Sequence, residues 1–287
     1  MFNKRHIVRT IAATASILAL SFTAACGSGQ STASNSTDSD DITQQTYKPG
    51  KLTIAPGQPA YEPWVMNDKP ESGEGYEAAV AYAVADKLGF KKSDVVWTRT
   101  AFDTAIAPGA KDWDFNIQQF GITDERKKAV DFSSSYYNDS QSVVVKKDSK
   151  FANATKVSDL KDATVGVMVG TLAYDYAKAN IKDDIQTFND DAALAQALDA
   201  GQIDALVTST VECVYMVQSE QVKDAKVLGR LPDSEDKSGM GIVLPKDSKL
   251  TAAVTKAVDD LNADGTIKKL QDKWLAEYTT DLTELKK

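Results

Sequence analysis

The sequence predicts an α/β protein folded as two lobes of about a hundred residues each, and three observations lead there. From Lys51 onward, short apolar runs of strand type alternate with amphipathic runs of helix length, the pattern of mostly parallel sheets flanked by helices. The pattern pauses after Ser142 to Lys147 and restarts at Thr164. Lys146-Lys147-Asp148-Ser149 is echoed by Pro245-Lys246-Asp247-Ser248, each after an apolar strand, so two crossings between the lobes are expected, around a hinge.

At the start, Lys4, Arg5 and Arg9 precede the apolar run Ile11 to Leu20 and the small residues Thr23-Ala24-Ala25. The run falls short of the ~20 residues that a membrane-crossing helix needs, so residues 1–25 read as a secretory signal peptide. The junction from Leu20 to Gly27 resembles a bacterial lipobox, which makes Cys26 the expected lipidation site and its two acyl chains a membrane anchor. Residues 26–49 are rich in Ser, Thr, Asn, Asp, Gln and Gly with little to bury, the composition of a flexible tether.

The body then reads element by element. Strands are expected at Leu52 to Ile54, Val95 to Trp97, Asp114 to Gln118 and Ser142 to Lys147. Between them fall a helix from Tyr76 to Leu88 stopped by Gly89, a short one from Phe102 to Ala107 ended by Pro108-Gly109, and another from Asp124 to Lys128 capped by Thr123. The second unit has strands at Thr164 to Val167, Ile185 to Phe188, Ile203 to Val207 and Lys226 to Leu228. Its helices are Leu172 to Ala179, Asp191 to Asp199 and Val211 to Val217. A last strand at Gly241 to Leu244 and helices at Thr251 to Leu261 and Thr266 to Tyr278 need a sheet to cover, which assigns residues 241–287 to the first lobe with residues 50–143. Residues 144–240 form the second lobe.

Composition narrows the chemistry. Removal of residues 1–25 takes three basic residues and no acidic one from the chain's 33 and 41, leaving 30 against 41 and a net charge of −11. The only histidine, His6, leaves with the signal. A histidine-free body cannot run a Ser-His-Asp or Cys-His triad or build a His-rich metal site, and the acidic balance argues against nucleic acid. No GxGxxG, Walker loop, CxxC or HExxH is present, so no metal or cofactor is expected. Cys213 has no partner for an internal disulfide once Cys26 is lipidated and is expected as a small buried apolar residue.

Loops that follow strands are where open α/β sheets place ligands. The first, Gln58-Pro59-Ala60-Tyr61-Glu62-Pro63-Trp64, carries two aromatics between prolines; each either faces a ligand or plugs the core. The second, Gln118 to Arg126, runs through Gly121 into a helix start, where backbone N–H groups and the Arg126 guanidinium could receive a carboxylate or Arg126 could pair with a neighbouring acid at the surface. The third, Val169-Gly170-Thr171-Leu172, is another strand-to-helix turn, at minimum capped by Thr171.

With these loops placed, the chain from Lys51 to Tyr278 resembles the extracytoplasmic amino-acid-binding proteins of ABC transporters. The matching stretches are Tyr61-Glu62-Pro63-Trp64, Gly75-Tyr76-Glu77, Gly121-Ile122-Thr123-Asp124-Glu125-Arg126, and Val130-Asp131-Phe132-Ser133 with Tyr136-Tyr137. They continue with Val165-Gly166-Val167, Gly170-Thr171, Gly201-Gln202-Ile203-Asp204-Ala205 and Asp264-Gly265-Thr266 with Trp274. The resemblance implies a two-lobed, periplasmic-binding-protein-like fold of type II whose cleft closes on one small ligand. It implies that Tyr61 and Phe102 sandwich the ligand side chain and that Arg126 forks its α-carboxylate. The N–H of Gly121, Thr171 and the N–H of Leu172 are implied to assist. Trp64, Gln58 and Gln119 belong to the same set of candidate contacts.

Two departures bear on the ligand. Ser209 stands where the family usually holds the ligand ammonium with Asp, and Gln58 where its first loop is commonly acidic. Either Glu212, one turn along, takes over the ammonium, or the ligand is not an ordinary α-amino acid. The loss of two acids disfavours a cationic ligand, and a neutral polar amino acid is the first expectation, with cystine or an aromatic next. The resemblance further implies ABC permease subunits as partners, a monomer, and no enzymatic activity. Two alternatives remain at this point: a cleft-based dehydratase on the same fold, with only Glu212, Glu62 or Glu77 as candidate acids, and a ligand-sensing lipoprotein without a transporter.

Overall fold

The computed structural model describes residues 41–279 and 282–287. The expected signal peptide and the Cys26 lipidation site lie outside the described residues. In chain order the elements are β1 (Leu52–Ala55), α1 (Tyr76–Lys87), β2 (Val95–Trp97), α2 (Phe102–Ile106), β3 (Phe115–Asn116), β4 (Val130–Tyr137) and β5 (Gln141–Lys146). They continue with β6 (Val165–Met168), α3 (Leu172–Asn180), β7 (Gln186–Phe188), α4 (Asp191–Asp199), β8 (Ala205–Ser209), α5 (Thr210–Gln218), β9 (Ala225–Arg230), β10 (Met240–Pro245), α6 (Thr251–Ala263) and α7 (Thr266–Trp274).

Two five-stranded sheets result, ordered β2-β1-β3-β10-β4 and β7-β6-β8-β5-β9. The strands joined by helical crossovers pair in parallel: β1 with β2 and β3, and β6 with β7 and β8. Every antiparallel pair involves a strand that enters from the other sheet, β10 or β5. Each sheet is therefore mixed, because a strand arriving across the hinge runs against those wound up by βαβ steps. Between strands the chain crosses twice, from β4 to β5 and from β9 to β10, and after α7 its last residues return once more to the second sheet.

Each sheet is covered on both faces, which explains the uninterrupted apolar runs. In β5, Val143 and Val145 face one core with Val165, Val167 and Val207, while Val144 faces the other with Leu194, Leu198 and Cys213. The first sheet packs Leu52, Ile54, Phe115, Ile242 and Leu244 against α1 and α6, with Ala55, Trp113, Phe120, Val130 and Val243 behind. At ~25 cal/mol per Å² of apolar area, burial of this kind is the main favourable contribution to the fold. Cys213 is fully buried, as expected of a small apolar residue. Helix α1 begins at Gly75, whose φ is +100° and where a Cβ would lie 2.5 Å from the Trp64 carbonyl oxygen. Only glycine lets the chain turn there under the first loop.

Three readings are corrected. The eight-residue strand β4 had no strand expectation: its sequence, Val-Asp-Phe-Ser-Ser-Ser-Tyr-Tyr, is polar because it lies at the sheet edge and pairs only with β10. The tether does not extend to residue 49, since Asp41 caps a 3₁₀ turn over Ile42–Gln44, Thr46 is buried, and the Tyr47 N–H donates to the Asp114 carboxylate at 2.6 Å. The C-terminal residues do not all stay with the first lobe. The Arg230 N–H donates to the Thr283 carbonyl at 2.9 Å, the Val157 N–H to the Lys286 carbonyl at 2.8 Å, and Leu285 is buried in the second sheet's core. Leucine at that position recovers more burial there than solvent offers.

Candidate ligand-binding cleft

The functional site is built from strand ends and helix starts that face each other. From the first sheet come the loop after β1, the start of α2 and the segment after β3. From the second come the first turns of α3, α4 and α5, each opened by a side-chain cap. Thr171 Oγ1 accepts from the Tyr174 N–H at 3.2 Å, Asp190 from the Ala193 N–H at 2.8 Å, and Ser209 from the Glu212 N–H at 3.3 Å. The caps fix where these helices start and thus what they present to the cavity.

Tyr61, Phe102, Gln119, Gly121, Arg126, Thr171, Leu172, Ser209 and Glu212 all line one cavity. Two expected contacts do not. Trp64 is fully buried in the first core against Tyr76 and Tyr137, with ring centroids at 5.9 and 5.5 Å, and its Nε1–H donates to Glu212 Oε1 at 2.6 Å. It supports the site from behind, because an indole this deep has no face left for a ligand. Gln58 lines a recess beside the cavity that shares Tyr61 and Phe102 with it.

Arg126 is held on both sides of the cleft. Its Nη1 donates to the Gly121 carbonyl at 2.7 Å and its Nη2 to the Gly170 carbonyl, across the cleft, at 2.9 Å. The guanidinium also lies 5.7 Å from the Phe102 ring and 5.4 Å from Phe120, which stack on each other at 4.2 Å. Burial lowers its pKa, opposed by Asp175 and Asp236. A guanidinium carries five donors, so three remain beyond the two carbonyl bonds. Rather than opening a helix, Gly121 lies in a short antiparallel bridge to Met240, whose bonds use the Ile122 N–H and the Phe120 carbonyl and leave the Gly121 N–H out. Gly121 is also a close approach: a Cβ there would lie 2.6 Å from Leu172 Cδ1 and 2.7 Å from Asp236 Oδ2.

The cavity is more acidic than the sequence suggested. Glu77, Asp139, Asp191, Glu212 and Asp236 all line it, with Arg126 the single basic lining residue. Burial pushes Glu77 up to about 7, against hydrogen bonds from Tyr136 and Gln119. Gln119 adopts a left-handed backbone, φ +52°, that points both its N–H, at 2.8 Å, and its side-chain amide at this carboxylate. Burial raises Asp139 and Asp191 to about 6 each. It raises Glu212 as well, with the Asp191 charge next in importance. Asp236 is shifted upward by burial. Tyr61 Oη, Asp139 Oδ2 and Asp236 Oδ2 are buried without a hydrogen-bond partner. Buried polar atoms are nearly always satisfied, so three orphans around one cavity leave polar atoms there open to a partner.

Of the acids, the sequence singled out Glu212 for the ligand and Glu77 only as a candidate catalytic acid; Asp139, Asp191 and Asp236 were missed. Asp191 was within reach, since it opens a helix directly after a strand. Asp139 and Asp236 sit in the two crossings and carry no motif. Among the described residues no group of acids and thiols is arranged to hold a metal ion, and no helix is long and apolar enough to cross a membrane.

Two α/β lobes joined by two strand-to-strand crossings, with a cavity lined from both sides and a half-buried guanidinium bonded to both, define a receptor that closes over a small solute. The chain belongs to the bacterial extracellular solute-binding proteins, family 3, which match residues 54–277. It is 29% identical over 245 residues to an L-arginine-binding protein of Pseudomonas aeruginosa, covering 80% of this chain and 88% of that one. It is 30% identical over 223 residues to the L-cystine-binding protein TcyJ of Escherichia coli, covering 77% and 81%. Among solved structures, an ancestral arginine-binding protein bound to arginine superposes with a TM-score of 0.66 at 31% identity, covering 79% of this chain and 98% of that chain.

Proposed function

We propose that this protein captures a cationic α-amino acid, arginine being the first candidate, and delivers it to the permease of an ABC importer. The observation that carries the reading is the charge of the cavity: five carboxylates against one guanidinium. Buried carboxylates without a cation are costly, and here burial and mutual repulsion drive their pKa values up. A ligand that brings positive charge relieves this. The neutral-ligand expectation counted acids at two sequence positions, whereas the fold gathers acids from α1, α4, α5 and both crossings. The arginine-binding relatives support the same choice.

In this reading Arg126, assisted by the Leu172 and Gly121 N–H groups, holds the α-carboxylate. Tyr61 and Phe102 flank the side chain, and Asp191 and Glu212 receive the distal positive charge. Such a ligand touches both walls, binds the closed arrangement better, and shifts the hinge equilibrium toward it. The closed form is what the permease recognises. Residues 50–137 with 240–279 form one lobe and residues 141–239, with the C-terminal tail laid against them, the other; the expected boundaries at 143 and 240 would split β5 and misplace the start of β10. The protein acts as a monomer, tethered outside the cell membrane through diacylated Cys26 once residues 1–25 are removed. Turnover is not expected. The Glu77 carboxylate is taken up by Tyr136 and Gln119, and Glu62 accepts from the Asn67 N–H at 2.9 Å and Tyr215 at 3.2 Å, outside the cavity.

A thermal-shift screen of residues 27–287 against the common amino acids, ornithine and cystine tests the ligand class. Arginine, lysine and ornithine should give the largest upward shifts. A response confined to neutral amino acids would refute the cationic reading.

A further inference from the structure

The family's ammonium-binding aspartate is missing at Ser209, yet Ser209 still lines the cavity, and a carboxylate stands beside it. That carboxylate is Asp139, in the crossing between β4 and β5. Asp139 is only 7% exposed. Its Oδ1 accepts from the Ser140 N–H at 2.7 Å, while its Oδ2 is buried with no hydrogen-bond partner. The Ser209 hydroxyl and the N–H groups of Val211 and Thr210 approach the carboxylate and lower its pKa, without a well-aligned bond to Oδ2, which places it over the start of α5. The Asp139 carbonyl accepts the Asp236 N–H at 2.9 Å, so the two crossings are bonded to each other at this residue.

Resting on the proposed amino-acid ligand, we propose that Asp139 holds the ligand's α-ammonium from the hinge, in place of the carboxylate that Ser209 lacks. Asp139 and Ser209 line the same cavity and their side chains interact, so the carboxylate at 139 supplies there the charge that position 209 lacks. One oxygen is anchored to the Ser140 N–H, and the other, beside the start of α5, makes no well-aligned bond and can accept from a positively charged donor. The consequence is a different route from ligand to motion. An aspartate at 209 would hold the ammonium from the second lobe alone. Asp139 holds it from a crossing strand that is itself bonded to the other crossing, so the amino group acts on the segment that bends.

The test compares L-arginine with its des-amino analogue 5-guanidinopentanoate by calorimetry on residues 27–287. In the wild-type protein arginine should bind more tightly by about ten- to hundredfold, the value of a charge-assisted hydrogen bond. Asp139→Asn should weaken arginine by about that factor and leave the analogue unchanged, since the analogue never used the carboxylate. A residue that merely caps α5 would move both ligands alike. The relocated pair Asp139→Ser/Ser209→Asp should restore the preference for arginine. Unchanged arginine affinity in Asp139→Asn, or equal losses for both ligands, overturns the assignment while leaving the receptor reading intact. If the wild-type protein binds glutamine and not arginine, the cationic reading fails, and L-glutamine against 4-carbamoylbutanoate in the same variants decides the role of Asp139.

Discussion

Replacing Arg126 with alanine is the most demanding test of the cleft. In the structure its guanidinium donates to Gly121 at 2.7 Å within its own lobe and to Gly170 at 2.9 Å across the cleft, and it keeps three donors for a ligand. The Gly121 bond exists whether or not the lobes close, so its loss falls on stability. At about 1.5 to 3 kcal/mol for a hydrogen bond made by a charged group, the melting temperature of the ligand-free protein should drop by roughly 3 to 12 °C. The Gly170 bond and the carboxylate fork exist only when the lobes are together, so their loss falls on affinity. Two charge-assisted contacts at ~1.5 to 3 kcal/mol each give about 3 to 6 kcal/mol, a Kd raised by about 10² to 10⁴. Arg126→Lys keeps the charge without the fork and should fall between the two. Calorimetry with arginine measures the affinities, and melting without ligand the stability. An alanine variant binding within threefold of the wild type would refute the carboxylate-receptor argument, whatever happened to the melting temperature.

Three further outcomes follow from the same geometry. Glu212→Gln keeps an acceptor for Trp64 Nε1, 2.6 Å away, and removes repulsion with Asp191, so the ligand-free protein should melt higher at neutral pH while arginine binds about tenfold more weakly; a lower melting temperature would show that the buried charge is not a burden. Burial raises Glu77 to about 7 and Asp139 and Asp191 to about 6, so these acids bind protons more tightly folded than unfolded, and ligand-free stability should fall as pH rises from about 4 to 7. Exposed Asp94 and Asp199, held low by Lys51 and Lys146, act in the opposite sense only below pH ~4. Over the same window arginine affinity should rise with pH and binding should release protons, which calorimetry in buffers of different ionisation enthalpy would detect. Truncation after Thr279 removes buried Leu285 and the bonds that Arg230 and Val157 make to the tail, and should lower the melting temperature by roughly 5 to 10 °C; an unchanged melt would mean that the tail adds nothing to the second core.

The fold was legible where local signals agree. The run Val143-Val144-Val145 reads as a strand, and it is one, buried on both faces, though it belongs to the second sheet and does not close the first unit. Thr171 reads as a helix cap, and its Oγ1 accepts the Tyr174 N–H. Strand β4 was not legible, since an edge strand with one partner can be polar. Nor was the choice between Tyr61 and Trp64, which share a loop and a composition but not a fate.

By itself, then, the sequence determined what depends on neighbours along the chain: the alternation of strands and helices, the helix starts, the restart that makes two lobes, and Arg126 after its loop. Tertiary structure alone decided what depends on neighbours in space. It carried Glu77, Asp139, Asp191, Glu212 and Asp236, drawn from positions 77 to 236, to one cavity beside a single guanidinium. Charge at a site is a sum over residues brought within a few ångströms, and no spacing along the chain records that sum.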